Sequence, residues 1–240
     1  FGMELGGKTP MILFDDADID AALPVIEKAL TVFSGQFCMT GSRLLVQDGI
    51  FERVRDTLAR QLDDVKVGPA RDPSSDMGPL IDRENVLRVD QVVKNAIAEG
   101  AHVVVRGGPV SVGPLSKGAF FRPALLEITD NSLSILQEET FGPVLTIQRF
   151  RDEAEAIQLA NDSEFGLAAS IWTRDIDRSL KLAQALEAGT VWVNDWAKVY
   201  DNTEEGGFKQ SGLGRLNGLA ALEDFIEYKH IALKPGLYTP

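Results

Sequence analysis

Short β-branched runs alternate along this chain with longer stretches whose apolar residues recur every three or four positions. That alternation restricts the fold more than any other feature. A parallel strand pair needs a crossover of a dozen or so residues to return to the same edge, and helices of ten or more residues supply it. Strands are expected at "TPMILFD" (9–15), "RLLVQ" (43–47), "AHVVVRGG", "FFRPALLEIT" (120–129), "VLTIQRF" (144–150), "LAASIWT" and "GTVWVN". Between them the 3.6-residue period marks helices. One follows the acidic cluster at Asp18, with Ile19, Leu23, Ile26, Leu30 and Phe33 on its apolar face and its start held near Pro24. Another covers 50–64, with Phe51, Val54, Leu58 and Leu62 in register. A third runs from Val86 through Ile97 to Gly100, and a fourth opens on Asp152 with Glu155 at capping-box spacing. Further helices span 175–188, closed by Gly189, and the region around 219–226; "YKHIALK" (228–234) reads as a tail strand. The segment 68–82, with three prolines and two glycines, is loop. The pattern predicts one compact α/β domain, with 108–118 as a surface loop rather than a linker.

At 240 residues the length alone allows one large domain or two small ones. A chain of this size, 44% hydrophobic and 25% charged, buries an adequate core without disulfides or metals. Its single cysteine permits no internal disulfide and suits a reducing compartment such as the cytoplasm. No apolar run approaches the roughly 18 residues that span a bilayer. The formal net charge of −12, without a basic cluster, argues against nucleic acid and anionic membranes as partners.

The cysteine, Cys38, lies in "FSGQFCMTGSR", between a helix and a strand. A lone intracellular thiol commonly fills a core gap, yet structural cysteines usually fall within a hydrophobic period, and this one has Gln36, Thr40 and Ser42 around it. A nucleophilic thiol usually has a histidine partner. His102 flanks a valine-rich strand and His230 lies in the tail, so neither is placed for a Cys–His pair. The remaining base is a carboxylate, which raises a neighbouring thiol's pKa and is better suited to deprotonating water. Glu4 in "ELGGK" is the candidate, followed by Gly6 and Gly7, which allow close approach of a ligand to the backbone.

Six stretches, in order, resemble the aldehyde dehydrogenase superfamily: "MELGGKTPMILFDDADID", "GQFCMTGSR", "EETFGPV", "NDSEFGLAASIWTRD", "AGTVWVND" and "GGFKQSGLGR". The resemblance runs from about residue 3 to 235. It implies an aldehyde-dehydrogenase-like catalytic domain: a mainly parallel sheet flanked by helices, with a C-terminal oligomerisation strand. Residues 1–8 would close a preceding nucleotide-binding half, 9–226 form the catalytic domain, and 227–240 join a neighbouring subunit in a dimer or tetramer. It also implies that Cys38 attacks an aldehyde, that NAD or NADP takes the hydride, and that Glu4 activates the water that releases a carboxylic acid. Glu139 would bind the nicotinamide ribose, with Phe141 packed beside it and Leu167 near the nicotinamide. Phe37, Met39, Trp196, Val199 and Glu205 would lie along the substrate tunnel, and Asn194 would order the loop behind the nucleophile. No metal is implied. The Cys38 amide offers one oxyanion donor; the second belongs to the preceding half. Alternatives are a coenzyme-A-acylating relative, disfavoured by Glu4, and a folded non-catalytic module. Residues 1–240 alone are expected to be inactive, since much of the cofactor platform precedes them. "GLGRLNG" (212–218) lacks the spacing of a dinucleotide fingerprint and receives no phosphate role. Two positions depart from the family. Phe33 replaces a common asparagine, and Glu205 replaces a common aromatic, a change expected to disfavour anionic aldehydes and to suit cationic or hydroxylated ones.

Overall fold

A computed structural model describes residues 1–234 and 236. Seven strands form the central sheet: β1 (Thr9–Leu13), β2 (Gly41–Gln47), β3 (His102–Val105), β4 (Ala124–Glu127), β5 (Val144–Phe150), β6 (Ala168–Trp172) and β7 (Thr190–Val193). Their order is β7-β6-β1-β2-β5-β4-β3, parallel throughout except for the antiparallel β3–β4 pair at one edge. The central strands carry apolar segments such as Met11–Phe14 and Leu44–Val46 because helices cover both faces. All of β1 is buried, and Met11 through Phe14 are at most 1% exposed.

Five helices make the outer layers: α1 (Ile19–Thr31), α2 (Phe51–Asp64), α3 (Arg83–Ala98), α4 (Glu153–Asn161) and α5 (Ile176–Ala185). Met11, Leu13, Leu44 and Val46 point to the face covered by α1 and α2. Ile12, Phe14 and Leu45 point to the opposite face, under α4 and α5, while α3 packs on the β4–β5 end. Four helices open on an aspartate whose carboxylate accepts a first-turn amide: Asp18, Asp82, Asp152 and Asp175. Glu155 reaches back to the Arg151 amide at 2.8 Å, one residue short of a full capping box. Gly100, at φ 111°, ends α3 in a Schellman motif, with Ala101 bonded to the Ala96 carbonyl and Gly100 to that of Ile97.

Several expectations are corrected. Pro24 lies well inside α1 rather than near its start; it faces solvent, and the Asp20 carbonyl that loses a partner is on the same wetted side. Phe33 does not continue the apolar face of α1. It is 69% exposed and left-handed, in a 3-10 turn (Val32–Gly35) that ends the helix. Pro123 splits the expected 120–129 strand into Phe121–Arg122 and β4. Helix α5 stops at Ala185, short of Gly189, and Ala220–Phe225 is 3-10 rather than α. No strand forms over 228–234 among the described residues, where Tyr228, Ile231 and Leu233 stand exposed; residues 237–240 lie outside the description.

Candidate active site

The functional candidates gather at the amino ends of the parallel strands. Each lies in the segment just before one: Gly6 and Gly7 before β1, Cys38 before β2, Glu139 before β5 and Leu167 before β6. Gly7 is the pivot. Its amide donates to Glu139 Oε1 at 3.1 Å, joining segments 132 residues apart. A Cβ on Gly7 would stand 2.6 Å from the Cys38 carbonyl and 3.2 Å from Leu167; one on Gly6 would stand 2.7 Å from Glu139 Oε2. The glycine pair is therefore required by space: the acid loop, the cysteine loop and Leu167, 2% exposed, close on a backbone with no room for side chains.

The cysteine loop is held in an unusual shape. Phe33, Ser34 and Gly35 are consecutively left-handed, at φ 51°, 59° and 70°. For the two non-glycine residues this costs energy that surrounding contacts must offset. Ser34 Oγ donates to the carbonyls of Gly78 and Pro79, at 2.9 and 3.2 Å, and the Gln36 side chain accepts from the Ile81 amide. Gly35 packs on Gly142 and Pro143, where a Cβ would meet backbone at 2.4 Å. Behind the thiol, Trp196 Nε1 donates to the Met39 carbonyl at 2.9 Å. Asn194, left-handed at φ 54°, exchanges two hydrogen bonds with Thr173, turning the chain back so that Trp196 reaches that carbonyl. Asn194 thus orders the loop behind Cys38.

Cys38 is half-buried, and burial, followed by the charges of Glu4 and Glu139, pushes its thiol above the ordinary range; the amides of Met39 and Cys38 pull the other way. No histidine contributes to that balance. Glu4 is tied down by its neighbours: Met3 and Glu4 pair antiparallel with Leu213 and Gly212, and the Leu5 amide donates to the Ser211 carbonyl at 2.9 Å. Although Glu4 has exposed surface, its partial burial, helped by the Glu205 charge, raises its carboxyl, against the Gly207 amide and Arg215. A carboxylate with raised proton affinity beside a thiol is suited to accepting a proton from water.

The other candidates separate. Phe141 is 44% exposed and left-handed, its carbonyl bonded by Arg88. It faces an open groove of about 750 Å³ shared with Phe33, Met77 and Ile81, rather than Leu167. Phe37 stacks edge-on to Phe33 and Trp196, with centroids at 5.8 and 6.0 Å. Val199 is exposed and Glu205 partly so. Met39, expected along a tunnel, is 3% exposed and packs in the main core, so its side chain presents no wall here.

Two buried cations had no signal in the sequence beyond their place in motifs. Lys8 is 3% exposed, its Nζ has no hydrogen-bond partner, and burial, then repulsion from Arg43, drives its pKa down to about 7 against the pull of Glu139 and Glu138. Arg43 is fully buried in β2 and donates to the carbonyls of Leu159 and Ala160 in the last turn of α4. A guanidinium there complements the negative helix end.

Comparison with known proteins agrees with this geometry. The model of the Aldehyde dehydrogenase family matches residues 1–231. A betaine aldehyde dehydrogenase from Bacillus subtilis (strain 168) is 39% identical over 229 residues, covering 95% of this chain and 47% of that protein. A crystal structure of betaine aldehyde dehydrogenase from Staphylococcus aureus, in complex with NAD+, superposes at a TM-score of 0.92 with 38% identity, covering 100% of this chain and 48% of the other. A single-substitution variant of that enzyme, also with NAD+, gives a TM-score of 0.93 at 38% identity, covering 100% and 50%. The chain thus spans about half the length of these relatives.

Proposed function

This chain belongs to the aldehyde dehydrogenase family, and from that premise we propose that it supplies the nucleophile, the water-activating base and part of the cofactor cradle for NAD(P)+-linked oxidation of an aldehyde to a carboxylic acid. The observation that carries the reading is the closure of the Glu139 and Cys38 segments on Gly7, with Glu4 close enough to act electrostatically on the thiol.

In this reading the Cys38 thiolate adds to the aldehyde carbon, forming a C–S bond and leaving the oxygen as an anion. The backbone amide of Cys38 faces that charge, and such donors contribute roughly 3–4 kcal/mol in acyl-transfer sites. Glu139 would hold the nicotinamide ribose, and the cofactor would supply the hydride acceptor that lets the Cys38 adduct become a thioester. Glu4 then takes a proton from water as its oxygen attacks the thioester carbon, and Cys38 departs as thiolate. The residues present fit one end of a dinucleotide. Glu139 offers carboxylate oxygens for ribose hydroxyls, with exposed Phe141 two residues away, whereas 212–218 pairs with Met3–Glu4 or bends, and opens no helix that would cradle a pyrophosphate. Residues 1–240 alone are accordingly expected to turn over no aldehyde, because positioning accounts for roughly 7–11 kcal/mol of such barriers.

Glu4 favours hydrolysis over transfer to coenzyme A. The exposed apolar tail, with Phe225, Ile226, Tyr228, Ile231 and Leu233, supports its use as a contact with a second copy of the chain. Product analysis tests the reading: the native full-length protein, given aldehyde and NAD+ or NADP+, should yield one carboxylic acid per reduced nicotinamide. Acyl-coenzyme A as the product, or no reduction of either nucleotide, would contradict it.

A further inference from the structure

The formal charge is −12 and no stretch of the sequence carries a basic cluster, yet the fold gathers three arginines at one edge of the sheet. Between the last turns of α2 and the end of β3 lies a cleft of about 540 Å³, within the size range of small-molecule sites. Its floor is apolar, formed by Leu62, Val65, Val104, Val105 and Pro123. Leu62 belongs to the main core, and the three valines pack against that core, so the floor is its uncovered margin. Arg60, Arg106 and Arg122 stand around it. Gly107 ties together the segments that carry the last two. Its backbone is left-handed, at φ 56°, and presses on the Phe121–Arg122 strand, where a Cβ would stand 2.4 Å from the carbonyls of Arg122 and Pro123. Gly108 then pairs with Arg122.

The charges of this cleft are not balanced from within. Among the described residues, Arg60 donates to Thr57 Oγ1 at 3.1 Å and forms no ion pair, and Arg122 forms none either. Arg106 pairs with Asp90 at 2.7 Å, but Lys94 holds the other oxygen of that carboxylate, also at 2.7 Å, so one anion serves two cations. Against them stand Asp63 and the carboxyl end of α2, whose last carbonyls carry partial negative charge. The balance stays positive on a molecule that is acidic as a whole. Guanidinium forks match carboxylate geometry and keep their charge across the physiological pH range. A small inorganic anion would use the rim and leave the apolar floor wet. An uncharged apolar molecule would cover the floor and leave the guanidiniums without a counter-ion. An anion with an apolar body satisfies both.

We propose that this cleft binds an amphiphilic carboxylate, an anion with an aliphatic or aromatic body, at a site that shares no lining residue with the Cys38 loop. The inference goes beyond the aldehyde-oxidising reading and does not depend on it. Isothermal titration of the native full-length protein, with Cys38 alkylated, tests it, using sodium octanoate as the probe. Octanoate should bind at least tenfold more tightly than either 1-octanol, which lacks the charge, or acetate, which lacks the body, and its affinity should fall as salt rises. Arg60→Ala and Arg122→Ala remove exposed side chains, so thermal melting should stay that of the wild type. Each should weaken octanoate roughly tenfold, and Arg122→Glu should weaken it further. Octanoate bound with wild-type affinity in these variants is held elsewhere and overturns the proposal. So does an affinity matched by 1-octanol, which marks a merely greasy surface, or matched by acetate, which marks a merely charged one. Failure of octanoate to bind the wild type at all overturns it as well.

Discussion

The Gly7 amide donates to the Glu139 carboxylate at 3.1 Å, while the same residue leaves no space for a Cβ against the Cys38 carbonyl. One backbone position thus sets the separation between the loop of the proposed nucleophile and the acid proposed to bind ribose. Gly7→Ala should drive those loops apart. We expect it to destabilise the protein by about 1–3 kcal/mol, as for other overpacked interiors, and to lower kcat/KM for aldehyde oxidation by more than the stability loss explains. Chemical denaturation alongside steady-state kinetics checks both.

The thiol's charge balance predicts its reactivity with pH. Burial and two carboxylates hold the Cys38 pKa above its ordinary value. The alkylation rate with iodoacetamide should therefore rise with pH through a midpoint above the usual cysteine range. Removing a negative charge favours the thiolate, so Glu4→Gln should move that midpoint down. A midpoint unchanged or raised in Glu4→Gln would show that the two groups do not interact.

Lys8 predicts an unusual stability profile. Its folded pKa of about 7 lies below the unfolded value near 10.5. Below pH 7 both states bind the proton and the full penalty applies. Between pH 7 and 10.5 the unfolded chain holds more protons, so this lysine's contribution to stability rises with pH, by an amount on the order of 5 kcal/mol. Lys8→Met should flatten this part of the profile in urea titrations; an unaltered slope would mean that the ammonium is solvated in the folded protein.

Much of this was legible in the sequence, for identifiable reasons. The strands stood out because burial on both faces gives β1 and β2 unbroken apolar segments, Met11–Phe14 and Leu44–Val46, and Asp152 with Glu155 marked the start of α4. Gly6 and Gly7 beside Glu4 pointed to a ligand approaching the backbone, whereas the structure packs the Cys38 carbonyl against Gly7 and the Glu139 carboxylate against both glycines. The cysteine loop was not legible: nothing in "VFSG" indicates that Phe33 and Ser34 adopt left-handed backbone, because contacts from Gly78, Pro79, Gly142 and Pro143 impose it. Nor did pattern reveal that Lys8 and Arg43 are buried, since both read as ordinary polar punctuation around apolar runs. Met39 was misplaced because adjacency to a nucleophile does not decide which way a side chain points; Trp196 and the sheet draw it inward.

The central claim is that Cys38 carries the acyl group and Glu4 clears it. Rapid-quench mass spectrometry of the native full-length protein, mixed with aldehyde and oxidised nicotinamide, tests this directly. Glu4→Gln should release one burst of reduced nicotinamide per site and hold an acyl mass on the peptide containing Cys38, with turnover slowed at least a hundredfold. Normal turnover with no acyl adduct in Glu4→Gln, or aldehyde oxidation surviving in Cys38→Ala, would contradict the account.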